Sequence, residues 1–324
     1  MTSIEAYQKR IEAAVNDLEF RNDPVELFEP VSYILSLGGK RIRPVLTLLA
    51  CEMFSGEHEA AIDQAVALEI FHNFTLLHDD IMDSAPLRRN NPTVHSKWND
   101  NTAILSGDAM LVLAYQYACR CSGEKLPRVL EVFNETALGV CRGQQYDMNF
   151  ETRDDVQLEE YVTMISLKTA VLLGACLQIG AIIGGAGNED AQRLYDFGMN
   201  LGIAFQLQDD LLDVYGDPGK FGKQVGGDIL ANKKTWLLLK AFQLSNEEQR
   251  AELNRWLAES NGNATAKVQA VTEFYNQLQL RELAQEEINH YHKISMDQLE
   301  LVNGNEAMKE QLKGLAEMLL VREA

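Results

Sequence analysis

Basic residues are scarce in this sequence. Its 324 residues include 29 lysines and arginines against 48 aspartates and glutamates, which gives a formal net charge of −19. Nucleic acids bind to basic surfaces, so this balance argues against nucleic acid as a partner, and it also disfavours an anionic membrane surface. The few places where basic residues cluster therefore become informative.

Proline and paired cysteines are also in short supply. Only seven prolines occur and no stretch has the composition of a linker, so we expect one domain over residues 1–324. The five cysteines are odd in number and lack metal-ligand spacing, which favours reduced thiols in a cytoplasmic protein. The acidic N-terminus differs from a signal or transit peptide. The most apolar window, residues 170–185, is too short to span a bilayer, so we expect a soluble protein without stable membrane insertion.

Strand-like alternation is absent, and helical periodicity runs through nearly the whole chain. This pattern predicts an all-α fold, a single-domain helical bundle around a central cavity. The predicted helices cover residues 3–20, 24–37, 41–54, 58–83, 101–121, 125–150, 157–167, 169–184, 188–216, 231–243, 246–258, 264–291 and 304–321.

Two aspartate clusters end apolar helices. In FHNFTLLHDDIMDSAPLRR the first cluster is Asp79, Asp80 and Asp83, and QLQDDLLD repeats the spacing 130 residues later. Like charges at this spacing repel, and a helix C-terminus disfavours anions, so a positive group should offset them. The alternative to a functional site is that the acids are simply solvated at a helix end. That alternative accounts for one such cluster but poorly for two. Hard oxygen ligands suit Mg²⁺ shared with substrate phosphates. The metal ligands predicted in the second cluster are Asp209, Asp210 and Asp213.

Basic side chains accompany both clusters. Arginine binds phosphate oxygens through two parallel hydrogen bonds, while lysine acts as a point charge. The glycine-rich segments GGKRIRP and GDPGKFGKQ both lack the P-loop pattern, so a P-loop is not predicted. They comprise Lys40, Arg41 and Arg43 in GGKRIRP, Arg88 and Arg89 in LRRNNPT, Lys168 beside Thr169, and Lys220, Lys223, Lys233 and Lys234.

Three motifs together resemble those of the trans-prenyltransferases, the isoprenyl diphosphate synthases. They are GGKRIRP, HxxxxxxDDIMDxxxxRR and QLQDDLLDxxGDPxxxGKxxGxD, and they occur in the family's order over residues 38–235. The resemblance implies an all-α homodimer that condenses an allylic diphosphate with isopentenyl diphosphate, releases pyrophosphate and uses Mg²⁺.

The resemblance also implies roles for individual residues. The Mg²⁺ ligands on the allylic diphosphate would be Asp79, Asp80, Asp83 and Asp209, with Asp210 and Asp213 nearby. The direct contacts to that diphosphate would come from Arg88, Lys168, Lys223 and Lys233. The diphosphate of isopentenyl diphosphate would bind Lys40, Arg43, His72 and Arg89. The reacting carbons would lie against Thr169 and Gln206.

One of these positions has a simpler explanation, and the sequence departs from the family pattern at another. A lone histidine on an apolar helix is commonly a core residue, but His72 lies two turns before Asp79 and matches the family position. The family pattern RRGxPT is here Arg-Arg-Asn-Asn-Pro-Thr, so Asn90 replaces a glycine. Asparagine tolerates a left-handed backbone, and we therefore expect the turn to survive.

The helix before the first cluster should limit product length. A helix advances about 5.4 Å per turn, close to one isoprene unit. Phe74 and Thr75 lie five and four residues before Asp79, and a large Phe74 beside a small Thr75 resembles synthases of C20 products, with C15 next. The alternative is that Phe74 is core packing and that neighbouring helices close the tunnel.

Two other functions use a similar fold. A class I terpene cyclase also carries DDxxD, but its second metal motif typically contains asparagine, serine and glutamate. A non-catalytic partner subunit should have lost aspartates or arginines from one site, and none is missing here.

Overall fold

The computed structural model describes residues 3–18, 23–216, 226–259 and 264–320. The described chain is helical almost throughout, which confirms the all-α prediction. The α-helices are α1 (Ser3–Asn16), α2 (Val25–Ser36), α3 (Ile42–Ser55), α4 (Ile62–Met82), α5 (Val94–Lys97), α6 (Asp100–Ala118), α7 (Leu126–Glu151), α8 (Leu158–Ile165), α9 (Val171–Gly184), α10 (Asn188–Tyr215), α11 (Gly227–Leu230), α12 (Trp236–Leu244), α13 (Glu247–Leu257), α14 (Ala264–Gln277), α15 (Leu280–Glu300) and α16 (Glu306–Leu320). A 3₁₀ turn at Glu59–Ala61 precedes α4, and a π-helical turn at Ser166–Ala170 joins α8 to α9.

The prediction of one helix over 264–291 is wrong. Helix α14 ends at Gln277, and α15 begins at Leu280 and continues to Glu300. Gln279 has φ 54°, in the left-handed region that interrupts a right-handed helix. The apolar periodicity continues on both sides of this residue, so the sequence alone did not reveal the break.

The prediction of a helix beginning at residue 231 is also wrong. Helix α12 begins at Trp236, and the Thr235 hydroxyl accepts a hydrogen bond from Leu238 N at 3.4 Å as its N-terminal cap. A threonine before an apolar run is a typical cap.

The expected absence of strands fails at one small place. Leu87–Arg88 and Asn91–Pro92 form a two-residue antiparallel ladder, in which Arg88 faces Asn91. Its two-residue turn needs positive φ at both positions, and Arg89 and Asn90 have φ 51° and 62°. The expectation that Asn90 tolerates a left-handed backbone is confirmed.

The described residues fall into two compact units, and the prediction of one domain stays a prediction. The first unit is Met1–Asn134, Ala175–Tyr195 and Val302–Leu312. Its helix α4 packs against α3 and α6, and α1 packs against α3 and α4. Side chains such as Leu48, Leu68 and Ile70 are fully enclosed.

The second unit is Glu135–Gly174, Asp196–Leu301 and Lys313–Ala324. Helix α12 packs against α8 and α15, while α14 packs against α11, α13 and α15. The core of this unit includes Leu207, Trp236 and Tyr275. The Tyr161 hydroxyl of α8 donates to Asp210 of α10, which carries the second aspartate cluster.

Within the part of the chain that the structure describes, one helical run is long and apolar enough to cross a membrane by length and composition. Leu158–Gly184 has 27 residues and contains an 18-residue window with a mean hydropathy of 1.8, so the sequence-based argument from length was too strict. Since 72% of that window is buried inside the protein, the run is better explained as a core helix.

Candidate active site

The first aspartate cluster ends helix α4, in the first unit. Asp79 and Asp80 lie in the last turn, and Asp83 is the C-terminal cap. The Arg88 guanidinium supplies the expected positive group: its Nε lies 2.8 Å from both carboxylate oxygens of Asp80, and its Nη2 lies 2.7 Å from Asp80 Oδ1. The same Nη2 lies 3.7 Å from Asp79 Oδ2. Burial raises the pKa of Asp80, and the hydrogen bonds from Arg88 oppose that rise.

The GGKRIRP loop brings a second group of cations together in the same unit. Arg43 Nη1 lies 3.2 Å from His72 Nε2. Burial and the charge of Arg43 hold the pKa of His72 well below its ordinary value. The neutral ring therefore accepts this hydrogen bond on Nε2, because a guanidinium only donates.

Arg89 reaches the glycine pair of this loop. Its guanidinium donates to Gly38 O and covers Gly39, where a Cβ would lie 2.9 Å from Arg89 Nη2. Gly39 also has φ 140°, so a side chain there would be both strained and obstructed. The structure thus gathers the predicted residues Arg43, His72 and Arg89 around one loop, with Lys40 exposed at its edge.

The predicted chain-length residues lie in an aromatic row on α4. The Phe74 ring centroid is 5.7 Å from that of Phe71 and 4.8 Å from that of His78. Phe71 in turn contacts Phe133 at 5.4 Å. The Thr75 hydroxyl donates to His72 O at 2.8 Å, so its polar atom is satisfied within its own helix.

The second aspartate cluster lines an open cavity of about 190 Å³ in the second unit. The cavity combines carboxylates with ammonium groups, and it includes Thr169 and Gln206, whose side chains lie 3.3 Å apart. Its charged lining residues are Asp147, Lys168, Asp209, Asp210, Asp213, Asp228, Lys233 and Lys234. The predicted Lys223 lies outside the described residues.

Asp210 is the buried member of this cluster. Its carboxylate accepts hydrogen bonds from the Tyr161 hydroxyl, from Gln206 Nε2 at 3.2 Å and from Trp236 N at 3.3 Å. Burial raises the pKa of Asp210 to about 7, although these donors favour the charged form.

Asp213 and Lys233 are both tied to Asp228. Asp213 Oδ2 accepts from Asp228 N at 3.0 Å, and Lys233 Nζ lies 3.7 Å from Asp228 Oδ1. These contacts link the aspartate cluster at the end of α10 to the short helix α11. Tyr161 and Asp228 were not predicted as site residues. A tyrosine among apolar residues gives no distinctive signal, whereas Asp228 is the last aspartate of the motif QLQDDLLDxxGDPxxxGKxxGxD and was assigned no role.

Lys168 sits in the π-helical turn between α8 and α9, rather than at the predicted start of a separate helix. Its Nζ donates to Asp147 Oδ2 at 2.6 Å. The turn lies between two glycines: a Cβ on Gly143 would lie 2.7 Å from Lys168 Cα, and one on Gly202 would lie 2.6 Å from Ala170 Cα. Asp147 was missed in the sequence, where an acid four residues after a glycine on a long helix does not stand out.

The elevated pKa of Asp210 predicts a gain in stability for Asp210→Asn. On folding, the pKa of this carboxyl rises from 3.8 to about 7. The ionised carboxylate therefore destabilises the folded state, and this destabilisation grows as pH rises from about 4 to about 7. With divalent cations chelated, Asp210→Asn should be more stable than the wild type by on the order of 2–4 kcal/mol at pH 8, since one pKa unit corresponds to about 1.4 kcal/mol. The difference should shrink towards pH 4. Urea unfolding of both proteins across this range measures it.

The control for this prediction is Asp209→Asn, because Asp209 is only half-buried. An equal gain for both variants, or a gain that does not depend on pH, would contradict the pKa argument.

The carboxylates of each unit fit a hard divalent cation. Among the described residues, no group of three or more histidine, cysteine or acidic side chains is arranged to hold an ion by itself. Mg²⁺ is usually held by one or two carboxylates, with phosphate oxygens and waters completing its shell. The aspartate clusters supply that kind of oxygen donor, with basic groups beside them for a polyanionic ligand.

Comparison with known proteins identifies the family. Residues 24–277 match the model of the polyprenyl synthetase family. The chain is 38% identical over 248 residues to the geranylgeranyl diphosphate synthase of Methanosarcina mazei, covering 75% of this chain and 76% of that one. It is 41% identical over 228 residues to the geranylfarnesyl diphosphate synthase of Aeropyrum pernix, covering 68% and 72%. A crystal structure of a geranylgeranyl pyrophosphate synthase matches with a TM-score of 0.95 at 43% identity, over 100% of both chains.

The all-α fold, the aspartate-rich helix ends with basic side chains beside them, and these matches together define the class as prenyl diphosphate synthases. The chain belongs to the polyprenyl synthetase family. Its relatives indicate the short-chain trans-prenyltransferases and do not favour the terpene cyclase or partner-subunit alternatives.

Proposed function

We propose that the protein condenses isopentenyl diphosphate with an allylic diphosphate to give a prenyl diphosphate and pyrophosphate. The favoured product is C20, geranylgeranyl diphosphate, with C15 farnesyl diphosphate next. The observation that carries this proposal is the bidentate pairing of Arg88 with Asp80 at the end of α4. In this pairing a guanidinium, a group suited to phosphate oxygens, lies against a carboxylate, a group suited to Mg²⁺.

The acidic residues would hold Mg²⁺ on the allylic diphosphate. The proposed ligands are Asp79, Asp80, Asp83 and Asp209, with Asp210 and Asp213 close by. When bound, the ions neutralise charge on the departing pyrophosphate. Asp147 lies in the same cavity as Asp209, so we add it to the residues that shape this site.

The basic residues divide between the two substrates. Arg88, Lys168 and Lys233 would bind the allylic diphosphate, as would Lys223. Arg88 and Lys168 now contact Asp80 and Asp147, and they would exchange these contacts for phosphate oxygens when the diphosphate binds. The diphosphate of isopentenyl diphosphate would be bound by Lys40, Arg43, His72 and Arg89.

The chemistry follows from these positions. The bond between the allylic carbon and the diphosphate oxygen breaks, and the basic side chains stabilise the negative charge left on oxygen. The double bond of isopentenyl diphosphate then attacks the allylic cation, whose carbons would lie near Thr169 and Gln206. The new cation loses a proton to the released pyrophosphate, which is itself a base, so no protein base is required.

Product analysis tests this proposal. The purified protein is incubated with Mg²⁺, isopentenyl diphosphate and either dimethylallyl, geranyl or farnesyl diphosphate, and the products are resolved by mass. Accumulation of C20 supports the proposal, and growth that stops at C15 corrects only the length. Pyrophosphate release from an allylic diphosphate alone would indicate a terpene cyclase. No turnover by folded protein would favour a non-catalytic partner subunit.

Phe74→Ala should lengthen the product. The substitution removes the Phe74 ring from between Phe71 and His78 and leaves space there, one to two turns before Asp79. Each helical turn of about 5.4 Å matches roughly one isoprene unit. We expect C25 and longer products at the expense of C20, measured by mass. Phe74→Leu should shift the products less.

The control for the lengthening is Phe54→Ala, a half-buried phenylalanine near the end of α3. It should leave the product unchanged. An unaltered product from Phe74→Ala would show that other residues close the tunnel.

We also propose a cytoplasmic homodimer. All five cysteines are free thiols, as expected in a reducing compartment. Helix α6 exposes Ile104, Leu105 and Val112 by 43%, 60% and 58%, and a row of exposed apolar side chains on one helix suits contact with a second copy. Light scattering should give twice the monomer mass, and Leu105→Glu should lower it.

A further inference from the structure

One arginine of the GGKRIRP loop points into the protein. Arg41 is 7% exposed, whereas its neighbour Lys40 is exposed. Its Nη1 pairs with the Glu69 carboxylate, and its Nη2 donates to Leu35 O at 2.6 Å. The side chains of this ion pair are 5% and 4% exposed. Arg41 is therefore shielded from any ligand in solution, although it belongs to the most basic motif of the chain.

The backbone of Arg41 adopts an unfavourable conformation. Its φ and ψ are 50° and 35°, in the left-handed region, directly before α3 begins. An arginine takes this conformation rarely, and surrounding contacts then stabilise it. The contacts to Glu69 and Leu35 O are the ones that do so here.

Helix α4 holds this loop at two points on one face. Glu69 binds Arg41, and His72, three residues on, accepts from Arg43. Asn73 donates to Glu69 Oε1 at 2.9 Å and so fixes the carboxylate. The spacing of three and four residues places these side chains together on the helix.

Helix α1 holds the loop from the outside. Gln8 Nε2 donates to Lys40 O at 2.7 Å. The helix is itself fastened nearby, since the Tyr7 hydroxyl donates to Glu52 Oε2 at 2.9 Å. Arg10 also pairs with Glu59 through two nitrogens, at 2.9 and 2.8 Å.

We propose that Glu69, acting through Arg41, and Gln8, acting on the Lys40 carbonyl, are positioning residues for the diphosphate of isopentenyl diphosphate. The inference rests on the proposed function, which places that diphosphate on Lys40 and Arg43. Glu69 and Gln8 touch no substrate; they set where Lys40 and Arg43 point. Losing either contact lets the loop relax and separates the cations from the phosphate oxygens.

The test separates the two substrates kinetically. Glu69→Gln keeps the shape but removes the charge that pairs with Arg41, and Gln8→Glu replaces the donor to Lys40 O by a repelling oxygen. KM for isopentenyl diphosphate should rise about tenfold for Glu69→Gln, the lower end of the loss seen when a residue that orients a metal ligand is replaced. It should rise less for Gln8→Glu. In both variants KM for the allylic diphosphate should change less than twofold. Gln8→Arg keeps a donor for Lys40 O, so its KM for isopentenyl diphosphate should stay close to that of the wild type.

Two surface variants serve as controls. Glu12→Gln alters an exposed position of α1, and Asp63→Asn alters a partly exposed acid of α4, and neither should change KM for either substrate. Glu69→Gln leaves the buried Arg41 without its charged partner, which can prevent folding. In that case Gln8→Glu tests the inference, because the hydrogen bond that it removes is exposed at the surface. Equal rises in both KM values, or no rise in either variant, overturn the inference.

Arg43→Gln separates this inference from the function on which it rests. A large rise in KM for isopentenyl diphosphate in Arg43→Gln, with no change in Glu69→Gln and Gln8→Glu, overturns the positioning roles alone. No effect of Arg43→Gln shows that the proposed substrate site itself is misplaced.

Discussion

Asp80→Asn is expected to lower kcat/KM by about 100-fold or more, the size of effect produced by removing one fixed electrostatic contact from a departing anion. Asp80 is 2% exposed and holds Arg88 by a bidentate pair. The substitution removes a proposed Mg²⁺ ligand and also releases the guanidinium proposed to bind the diphosphate. Steady-state kinetics with saturating isopentenyl diphosphate measures the loss.

The same helix provides the control for Asp80→Asn. Asp63 lies in the first turn of α4, is 41% exposed and pairs with Arg120 at 3.5 Å, so Asp63→Asn removes an acid–arginine pair from the other end of the helix. It should leave kcat/KM within twofold. Higher Mg²⁺ concentrations should partly restore Asp80→Asn. Equal activity in the two variants would exclude a metal-binding role for Asp80.

Gly143→Ala is expected to reduce kcat/KM by about 100-fold, because a displacement of about 1 Å in a positioned catalytic group has that effect. The added Cβ would lie 2.7 Å from both Leu167 C and Lys168 Cα, which are backbone atoms that cannot rotate away. The π-helical turn must shift, and Lys168 and Thr169 move with it. Such overpacking should also cost about 1–3 kcal/mol of unfolding free energy.

Gly314→Ala is the matched control for Gly143→Ala. Gly314 also lies within a helix, α16, but a Cβ there meets no atom within 4 Å. The substitution should leave activity unchanged and raise stability by about 0.5–1 kcal/mol, as expected for alanine in place of glycine in a helix interior. Full activity in Gly143→Ala would show that the π-helical turn tolerates displacement and that Lys168 is not held there for catalysis.

Several features were predictable because they depend on residues close together in the chain. Aspartates at the ends of two apolar helices follow directly from helical periodicity. So does the need for a nearby cation, which Arg88 supplies from the following hairpin. The left-handed turn at Asn90 was predictable for the same reason, since the tendency of asparagine to adopt positive φ is local.

Other features arise from contacts between distant segments. Arg41 and Arg43 look alike in GGKRIRP, but only Arg41 is buried against Glu69, 28 residues away. Asp147 looks like a surface acid until the chain brings it to Lys168, 21 residues later. Likewise, the break at Gln279 has no proline or glycine to announce it.

The sequence by itself determined the all-α class, the two carboxylate clusters, the clusters of basic residues and the resemblance to prenyltransferases. Residue type and spacing carry that information, because a helix places residues three and four apart on one face wherever it lies. Only the tertiary structure decided which basic side chains are buried in ion pairs and which remain exposed. The burial of a side chain and its partners depend on segments far apart in the chain. Arg41 is buried because it pairs with Glu69. The turn that carries Lys168 fits between α7 and α10 because Gly143 and Gly202 have no side chains.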